Sequence, residues 1–124
     1  MVAIEQAAES VFITDRNGTI QYVNPTFERL TGYSRKDAIG QNPRILKSGK
    51  QDAFFYKRMW DTLIRGISWK GRVINRKKDG SFFEADATIS PIFDKSGKIT
   101  NFVSIKRDVT REIELEKRLF CPVK

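Results

Sequence analysis

The 124-residue sequence contains no histidine and a single cysteine, Cys121, close to its end. Without histidine, the chain lacks the side chain that most often acts as a proton shuttle, a metal ligand or a haem ligand. One cysteine cannot form an internal disulfide, which favours a reducing compartment. The same absences remove the Ser/His/Asp and Cys/His sets of nucleophilic enzymes. We therefore expect no catalysis by this chain's own side chains, no metal and no haem bound through histidine.

Long hydrophobic runs are also missing, since no stretch approaches the roughly 18 apolar residues that a membrane span needs. Met1 to Glu5 lack the basic segment and apolar core of a secretory signal. We expect a cytoplasmic domain without membrane contact, on its own or as the cytosolic part of a membrane-anchored sensor. With 40% hydrophobic and 31% charged residues, the chain has the composition of one soluble globular domain.

The formal net charge of +8 raises the question of nucleic-acid binding, because clustered Lys and Arg neutralise phosphates. The basic clusters are Arg35-Lys36, Arg44 to Lys50, Lys57-Arg58 and Arg76 to Lys78. They are spread over several predicted elements with acidic residues between them. A solvated surface accounts for this pattern, and we do not expect a nucleic-acid partner.

The first half of the chain predicts a hairpin followed by helices. After a short helical lead-in over residues 3–10, Val11 to Asp15 is rich in β-branched and aromatic residues and predicts a strand. Asn17-Gly18 favours a tight turn, so Thr19 to Val23 is expected to return antiparallel. Asn24 and Ser34 each have the side chain of a helix N-cap. The longest helical pattern runs from Gln51 to Arg65, and its apolar side holds Phe54, Phe55, Met59 and Leu63.

The second half switches to a period of two residues, which predicts three strands. Trp69 to Arg76 and Ser81 to Phe93 are joined by a turn at Asp79-Gly80, and Ile99 to Asp108 follows. A charged helical pattern over Arg111 to Leu119 begins directly after the last strand. Strands at both ends of the sequence must meet in one antiparallel sheet to bury both halves, which gives an α+β fold.

Four motifs in this order resemble the PAS family of sensory domains over nearly the whole chain. They are Val11 to Asp15, Tyr22 to Phe27 with Leu30 to Tyr33, Arg76 to Gly80, and Arg107 to Thr110. The resemblance implies a five-stranded antiparallel sheet with short helices on one face, a pocket beneath them, and flanking N- and C-terminal helices. Residues 1–10 would form the first flanking helix, 11–110 the PAS core, and 111–124 a signalling helix or the start of a linker.

The family commonly packs its outer sheet face against flanking helices or a second protomer. Ile74, Val103 and Ile105 fall on the face opposite the predicted pocket residues and need cover. We therefore expect a homodimer through the outer sheet face and the flanking helices.

The segment Gly40 to Lys47 is similar to the flavin-contacting segment of LOV light sensors. The resemblance implies that Asn42 and Arg44 contact the flavin side chain and that Asn75 reads the ring edge. An amide and a guanidinium suit the hydroxyls and phosphate of that side chain. Pro43, however, replaces the photoactive cysteine. Ala85 and Lys106 replace two further ring-contacting amides, so LOV photochemistry is not expected.

The FAD-binding PAS domains of nitrogen-fixation and methane-oxidation regulators are a better match, because they lack that cysteine. In this comparison Trp60 would stack on or flank the ring, and Asn75 would bond its polar edge. Strand alternation points Lys106 inward, where it would stabilise an anionic reduced ring or pair with a carboxylate. A slip near the strand end would instead turn Lys106 outward as a snorkelling lysine, and both orientations stay open.

Three states of the pocket remain open: FAD or another flavin, a different small molecule, or no ligand. Trp60 has an alternative role in packing, and Asn42 and Asn75 in satisfying backbone groups. Filling of the pocket by large side chains is favoured by Phe12, Phe27, Phe55, Phe83 and Phe102.

The family's mechanism implies a sensor and relay. The strand that ends at Asp108 would pass a change to the following helix, with Asp108 bonding within the corner and Thr110 capping the helix. A covalently linked effector outside this chain, such as the histidine kinase of a two-component system or a cyclic-dinucleotide enzyme, would receive the signal. The alternative is a ligand-free PAS dimerisation and protein-interaction module.

Overall fold

The computed structural model describes residues 8–120, which form one five-stranded antiparallel sheet with helices on one face. The strands are β1 (Ser10–Asp15), β2 (Ile20–Val23), β3 (Trp69–Arg76), β4 (Phe82–Phe93) and β5 (Ile99–Asp108). Their order in the sheet is β2-β1-β5-β4-β3, so the first and last strands of the chain are central neighbours. The expected α+β fold and antiparallel sheet are confirmed.

The helices between β2 and β3 are α1 (Pro25–Thr31), α2 (Arg35–Ala38), a 3₁₀ turn (Pro43–Leu46) and α3 (Ala53–Ile64), and α4 (Thr110–Phe120) follows β5. The 3₁₀ turn lies within the segment Gly40 to Lys47, which resembles the flavin-contacting segment of LOV sensors. None of these helices, within the part of the chain that the structure describes, is long and apolar enough to cross a membrane. The predicted N-terminal helix over residues 3–10 falls largely outside the described residues, and Ser10 already belongs to β1.

The helix starts follow from local sequence. The Asn24 side chain accepts from the Phe27 amide at 3.0 Å, and Pro25 occupies the first helical position without losing a hydrogen bond. Gly32 ends α1 with φ of +79°, a conformation that side chains with a Cβ rarely adopt. Ser34 and Asp37 form a reciprocal capping box on α2.

The core consists of three apolar clusters between the sheet and the helices. One packs β1 and β2 against α1, with Phe12 and Phe27 edge to face at 5.9 Å. The second joins β3 and β4 around Phe83, and the third packs Met59 and Leu63 of α3 against the sheet. Phe54 is 63% exposed, so its predicted place on the buried side of α3 is wrong.

Candidate functional site

A cavity of about 680 Å³ opens between the inner sheet face, the 3₁₀ turn and α3. All five residues that the sequence resemblance assigns to a cofactor line it: Asn42, Arg44, Trp60, Asn75 and Lys106. They come from the 3₁₀ segment, α3, β3 and β5, so only the fold brings them together. A volume of this size lies within the range of small-molecule sites in proteins.

Lys106 points inward, which resolves the two orientations left open by the sequence. It is only 8% exposed, and its Nζ donates a hydrogen bond of 2.8 Å to Oδ1 of Asn75. The same Nζ lies 5.1 Å from the centroid of the Phe12 ring. Burial lowers the pKa of Lys106 to about 8, because a low-dielectric surrounding disfavours the ammonium form.

Ser104 is a site residue that the sequence interpretation did not single out. It is 1% exposed, lines the cavity, and its Oγ has no hydrogen-bond partner among the described residues. Buried hydroxyls are normally paired, so this one marks a place where a ligand atom or water fits. The signal was available in the strand alternation, since Ser104 precedes Lys106 by two residues and shares its face.

Asn42 and Arg44 belong to the wall near the open side of the cavity. Oδ1 of Asn42 accepts from the Arg44 amide at 2.9 Å, so Asn42 caps the 3₁₀ turn as its backbone alternative predicted. Lys47, another residue that the sequence interpretation missed, lines the same wall and places its Nζ 4.1 Å from the Tyr56 ring centroid. The exposed Arg44 and Lys47 make this opening cationic.

The apolar walls are formed mainly by α3 and the central strands. The indole of Trp60 is 41% exposed and stands edge to face with Phe102, with centroids 5.4 Å apart. Trp69 packs on Phe55 at 5.5 Å and lies outside this cavity. Trp60 thus packs on the core, as its alternative role predicted, and also lines the cavity, while its contact with a flavin ring stays a prediction.

The expectation that phenylalanines fill the pocket is wrong for most of them. Phe27, Phe55 and Phe83 pack into the core clusters, and only Phe12 and Phe102 border the cavity. The five phenylalanine rings therefore do not fill the cavity between the sheet and α3.

The corner after β5 ties two strands to the exiting helix. Oδ1 of Asp108 accepts from the amide of Thr110 at 3.0 Å and from its hydroxyl at 2.7 Å. Oγ1 of Thr110 accepts from the Glu84 amide on β4 at 2.8 Å, and the Val109 amide donates to the Glu84 carbonyl at 2.9 Å. Asp108 bonds within the corner as predicted. The predicted capping role of Thr110 is not observed, because α4 already begins at Thr110 and its hydroxyl bonds to β4.

An ion-pair chain runs along the outer face beside this corner. Arg107 contacts Asp86 at 3.1 Å and Glu112 of α4 at 2.8 Å, and Asp86 also pairs with Arg72 at 2.9 Å. These pairs are about half exposed, so each contributes little to stability. They connect β3, β4 and β5 to the first turn of α4 on this face.

Within residues 8–120, no group of three or more His, Cys, Asp or Glu side chains could hold a metal ion. Among those same residues, the lining of the cavity includes no carboxylate, so its charged groups are all cationic.

A five-stranded sheet in this order, covered by short helices that enclose a cavity and followed by a helix after the central strand, is the arrangement of a sensory domain. The family model for the PAS fold matches residues 2–109, and the chain belongs to this family. It is a PAS sensory domain related to regulators of signal transduction.

Several curated proteins are similar to this chain. Over 116 residues it is 36% identical to the nitrogen fixation regulatory protein of Klebsiella oxytoca, covering 94% of this chain and 23% of that protein. It is 33% identical over 104 residues to phototropin-1A of Oryza sativa subsp. japonica, covering 84% of this chain and 11% of the relative. The chain thus spans less than a quarter of these relatives.

Two solved structures share the fold closely. An RNA-binding light-oxygen-voltage receptor superposes with a TM-score of 0.85 at 26% identity, covering 95% of this chain and 34% of the other. A light-oxygen-voltage domain studied with a flavin analogue gives a TM-score of 0.80 at 25% identity, covering 95% and 93% of the two chains.

Proposed function

We propose that this PAS domain binds a flavin in its cavity and transmits the flavin's redox state through the Asp108–Thr110 corner to an effector outside this chain. The observation that carries the proposal is that the five residues predicted from the resemblance line one cavity of suitable volume. A light-oxygen-voltage domain studied with a flavin analogue is similar in structure, which supports the same ligand class.

The lining residues fit such a ligand. Apolar side chains of Met59, Leu63 and Val73 suit the faces of a fused ring, and the unpartnered hydroxyl of Ser104 and the Asn75 amide suit its polar edge. Arg44 and Lys47 at the opening suit a phosphate. Bound flavin supplies reversible electron uptake and a visible absorption band.

The proposed relay depends on the short distance along β5 between the cavity and the start of α4. Lys106 faces the ligand site, and Asp108, two residues further along β5, holds the start of α4. A change in the position of Lys106 would shift β5 and with it the corner. The nitrogen fixation regulatory protein and the hybrid signal transduction histidine kinase L of Dictyostelium discoideum, both similar to this chain, support a linked effector such as a kinase.

Titration of the purified domain with FAD and FMN, followed by flavin fluorescence and visible absorption, tests the ligand. We expect saturable binding that weakens at least about tenfold in Asn75→Ala, which removes the amide at the ring edge. Lys70→Ala, a solvent-exposed change outside the cavity lining, serves as the control and should bind normally. Failure of the wild-type domain to bind either flavin would overturn the proposal.

A second candidate function is dimerisation without ligand. It is supported by Ile105, which is 38% exposed on the outer face of the central strand β5. Ile74 and Val103 lie half-buried on the same face. In this alternative, two protomers would form a homodimer through this face and α4 without a ligand in the cavity.

A further inference from the structure

The buried end of the cavity, formed by Asn75, Ser104 and Lys106, contains a cation without an acidic partner. Lys106 is bonded to the neutral oxygen of Asn75, and within residues 8–120 no carboxylate lines the cavity. Burying an ammonium group without a counter-charge is costly, so such groups in proteins are paired or become neutral. Within the described residues, the charge of Lys106 is therefore left uncompensated.

A second donor lies beside this cation. Ser104 sits two residues before Lys106 on the same strand face, is 1% exposed, and has no partner for its Oγ in the described part of the chain. Among residues 8–120, Nδ2 of Asn75 donates only one long hydrogen bond, of 3.4 Å, to the carbonyl of Ile74. Three groups able to donate hydrogen bonds therefore line the cavity: two lie on one face of β5, and the third, the Asn75 side chain, is bonded to Lys106.

The other titratable groups around the cavity do not offset this positive charge. Arg44 and Lys47 face it from the 3₁₀ segment, and Tyr56 faces it from α3. Burial raises the pKa of Tyr56, so its phenol stays neutral near pH 7. The cavity is thus positive or neutral on every side described.

We propose that Lys106 and Ser104 form an anion subsite, which selects planar ligands that carry a carboxylate or another delocalised negative charge at the buried end. This inference rests on the proposed function only in that both use the same cavity. The negative charge has two chemical sources. It is either a fixed carboxylate, or the charge that a flavin ring gains when it takes two electrons from a donor such as dithionite and one proton from water.

A matched pair of probes tests the fixed-charge source. Naphthalene-2-carboxylate and naphthalene-2-carboxamide have the same ring and differ in charge, and calorimetry with amide NMR measures their affinity and position. We expect the wild-type domain to prefer the carboxylate about tenfold or more, as hydrogen bonds to charged groups are the stronger ones. The preference should vanish in Lys106→Met and in Lys106→Gln, and should decrease in Ser104→Ala.

The pH dependence of the carboxylate preference distinguishes the contribution of the buried Lys106 from that of the exposed Arg44 and Lys47. The carboxylate preference should fall as pH rises through about 8, where Lys106 loses its proton. Lys98→Met removes one positive charge from an exposed turn and should leave the preference unchanged. A preference equal in the wild type and both Lys106 variants, or no binding of either probe near Ser104, would overturn the subsite.

The reduction potential of bound FMN tests the second source. Because Lys106 would stabilise the negatively charged reduced ring, we expect the midpoint potential to become more negative in Lys106→Gln and to stay unchanged in Lys98→Met. If the domain binds no flavin but still prefers the carboxylate probe, the proposed flavin function is wrong and the anion subsite is supported. If Lys106→Gln still binds flavin, and neither its carboxylate preference nor the midpoint potential of bound FMN changes, the anion subsite is wrong while the flavin function stands.

Discussion

At the residue scale, the buried position of Lys106 is the feature that most clearly indicates a binding function. A lysine whose ammonium group is buried against an asparagine and an aromatic ring lowers the stability of the empty domain. Its pKa of about 8 lies below the ordinary value of 10.5, so folding opposes its charged form. A core built for stability alone would place an apolar side chain here.

The first prediction concerns the stability of Lys106→Met as a function of pH. The unfolded chain holds the lysine proton more tightly than the native state, so the wild type should gain stability as pH rises from about 8 towards 10.5. The full gain corresponds to about 3 kcal/mol. Urea unfolding at pH 7 and pH 10 should show this gain in the wild type and in Lys98→Met, and its loss in Lys106→Met. An equal pH dependence in all three proteins would mean that Lys106 is not buried as a cation.

At the element scale, short polar contacts at the ends of strands and helices hold the sheet and its helices in register. Oδ1 of Asn24 accepts from the Val11 amide at 2.9 Å and from the Phe27 amide at 3.0 Å, while its Nδ2 donates to the carbonyl of Glu9 at 2.9 Å. One buried side chain thus joins β1, the start of α1 and the chain before β1. The Asp108–Thr110 corner does the same for β4, β5 and α4.

The second prediction compares two helix caps. Asn24→Ala leaves two buried amides without partners and should lower the free energy of unfolding by about 2–4 kcal/mol. Ser34→Ala removes an exposed cap of α2 and should lower it by about 1 kcal/mol or less. Chemical denaturation of both variants measures the difference. Equal losses would show that burial of the Asn24 network adds nothing to ordinary capping.

The third prediction concerns the corner. Thr110→Val keeps the side-chain volume but removes the hydroxyl that links Glu84 of β4 to Asp108 of β5. Hydrogen exchange of residues 110–119 should become faster, because the helix start loses its attachment to β4, whereas ligand binding in the cavity should persist. In the parent protein, Thr110→Val should still bind ligand in the cavity, but the output of the effector should no longer respond to it. Thr62→Val, which removes a half-buried hydroxyl that bonds to Arg58 of its own helix α3, is the control. Unchanged exchange and output in Thr110→Val would contradict the relay.

Much of the element structure could be predicted from local sequence. Asn24-Pro25, Ser34 and Gly32 set helix ends through interactions within a few residues, so the sequence identifies them directly. The exposure of Phe54 and the inward direction of Lys106 depend on which neighbours the tertiary fold supplies. Strand alternation places Ser104 on the inner face, but the missing partner of its hydroxyl depends on the assembled cavity.

At the scale of the whole molecule, the sheet separates two surfaces with different roles. The inner face and α3 enclose the cationic cavity, and the outer face carries exposed Ile105 and the ion pairs that reach α4. Because β5 contributes to both faces and ends at the corner, one strand connects ligand, outer surface and exiting helix. The volume of the cavity could not be predicted from the sequence, since it depends on where each phenylalanine packs.

The fourth prediction concerns the outer face. If two protomers pair there, Ile105→Asp should raise the dimer dissociation constant by at least about tenfold, because it buries a charge at an apolar contact. Light scattering across a dilution series measures this, with Lys98→Asp as the control for charge on the same domain. A wild-type domain that is monomeric at all concentrations, or a dimer insensitive to Ile105→Asp, would exclude this interface.

The most direct test of the central claim is the visible absorption spectrum of the purified domain, expressed with flavin available, and of the supernatant after heat denaturation. We predict a flavin band that is held by the folded domain, released on denaturation, and strongly reduced in Asn75→Ala. A colourless domain that also fails to take up added FAD or FMN would contradict the assignment of the cavity to a flavin.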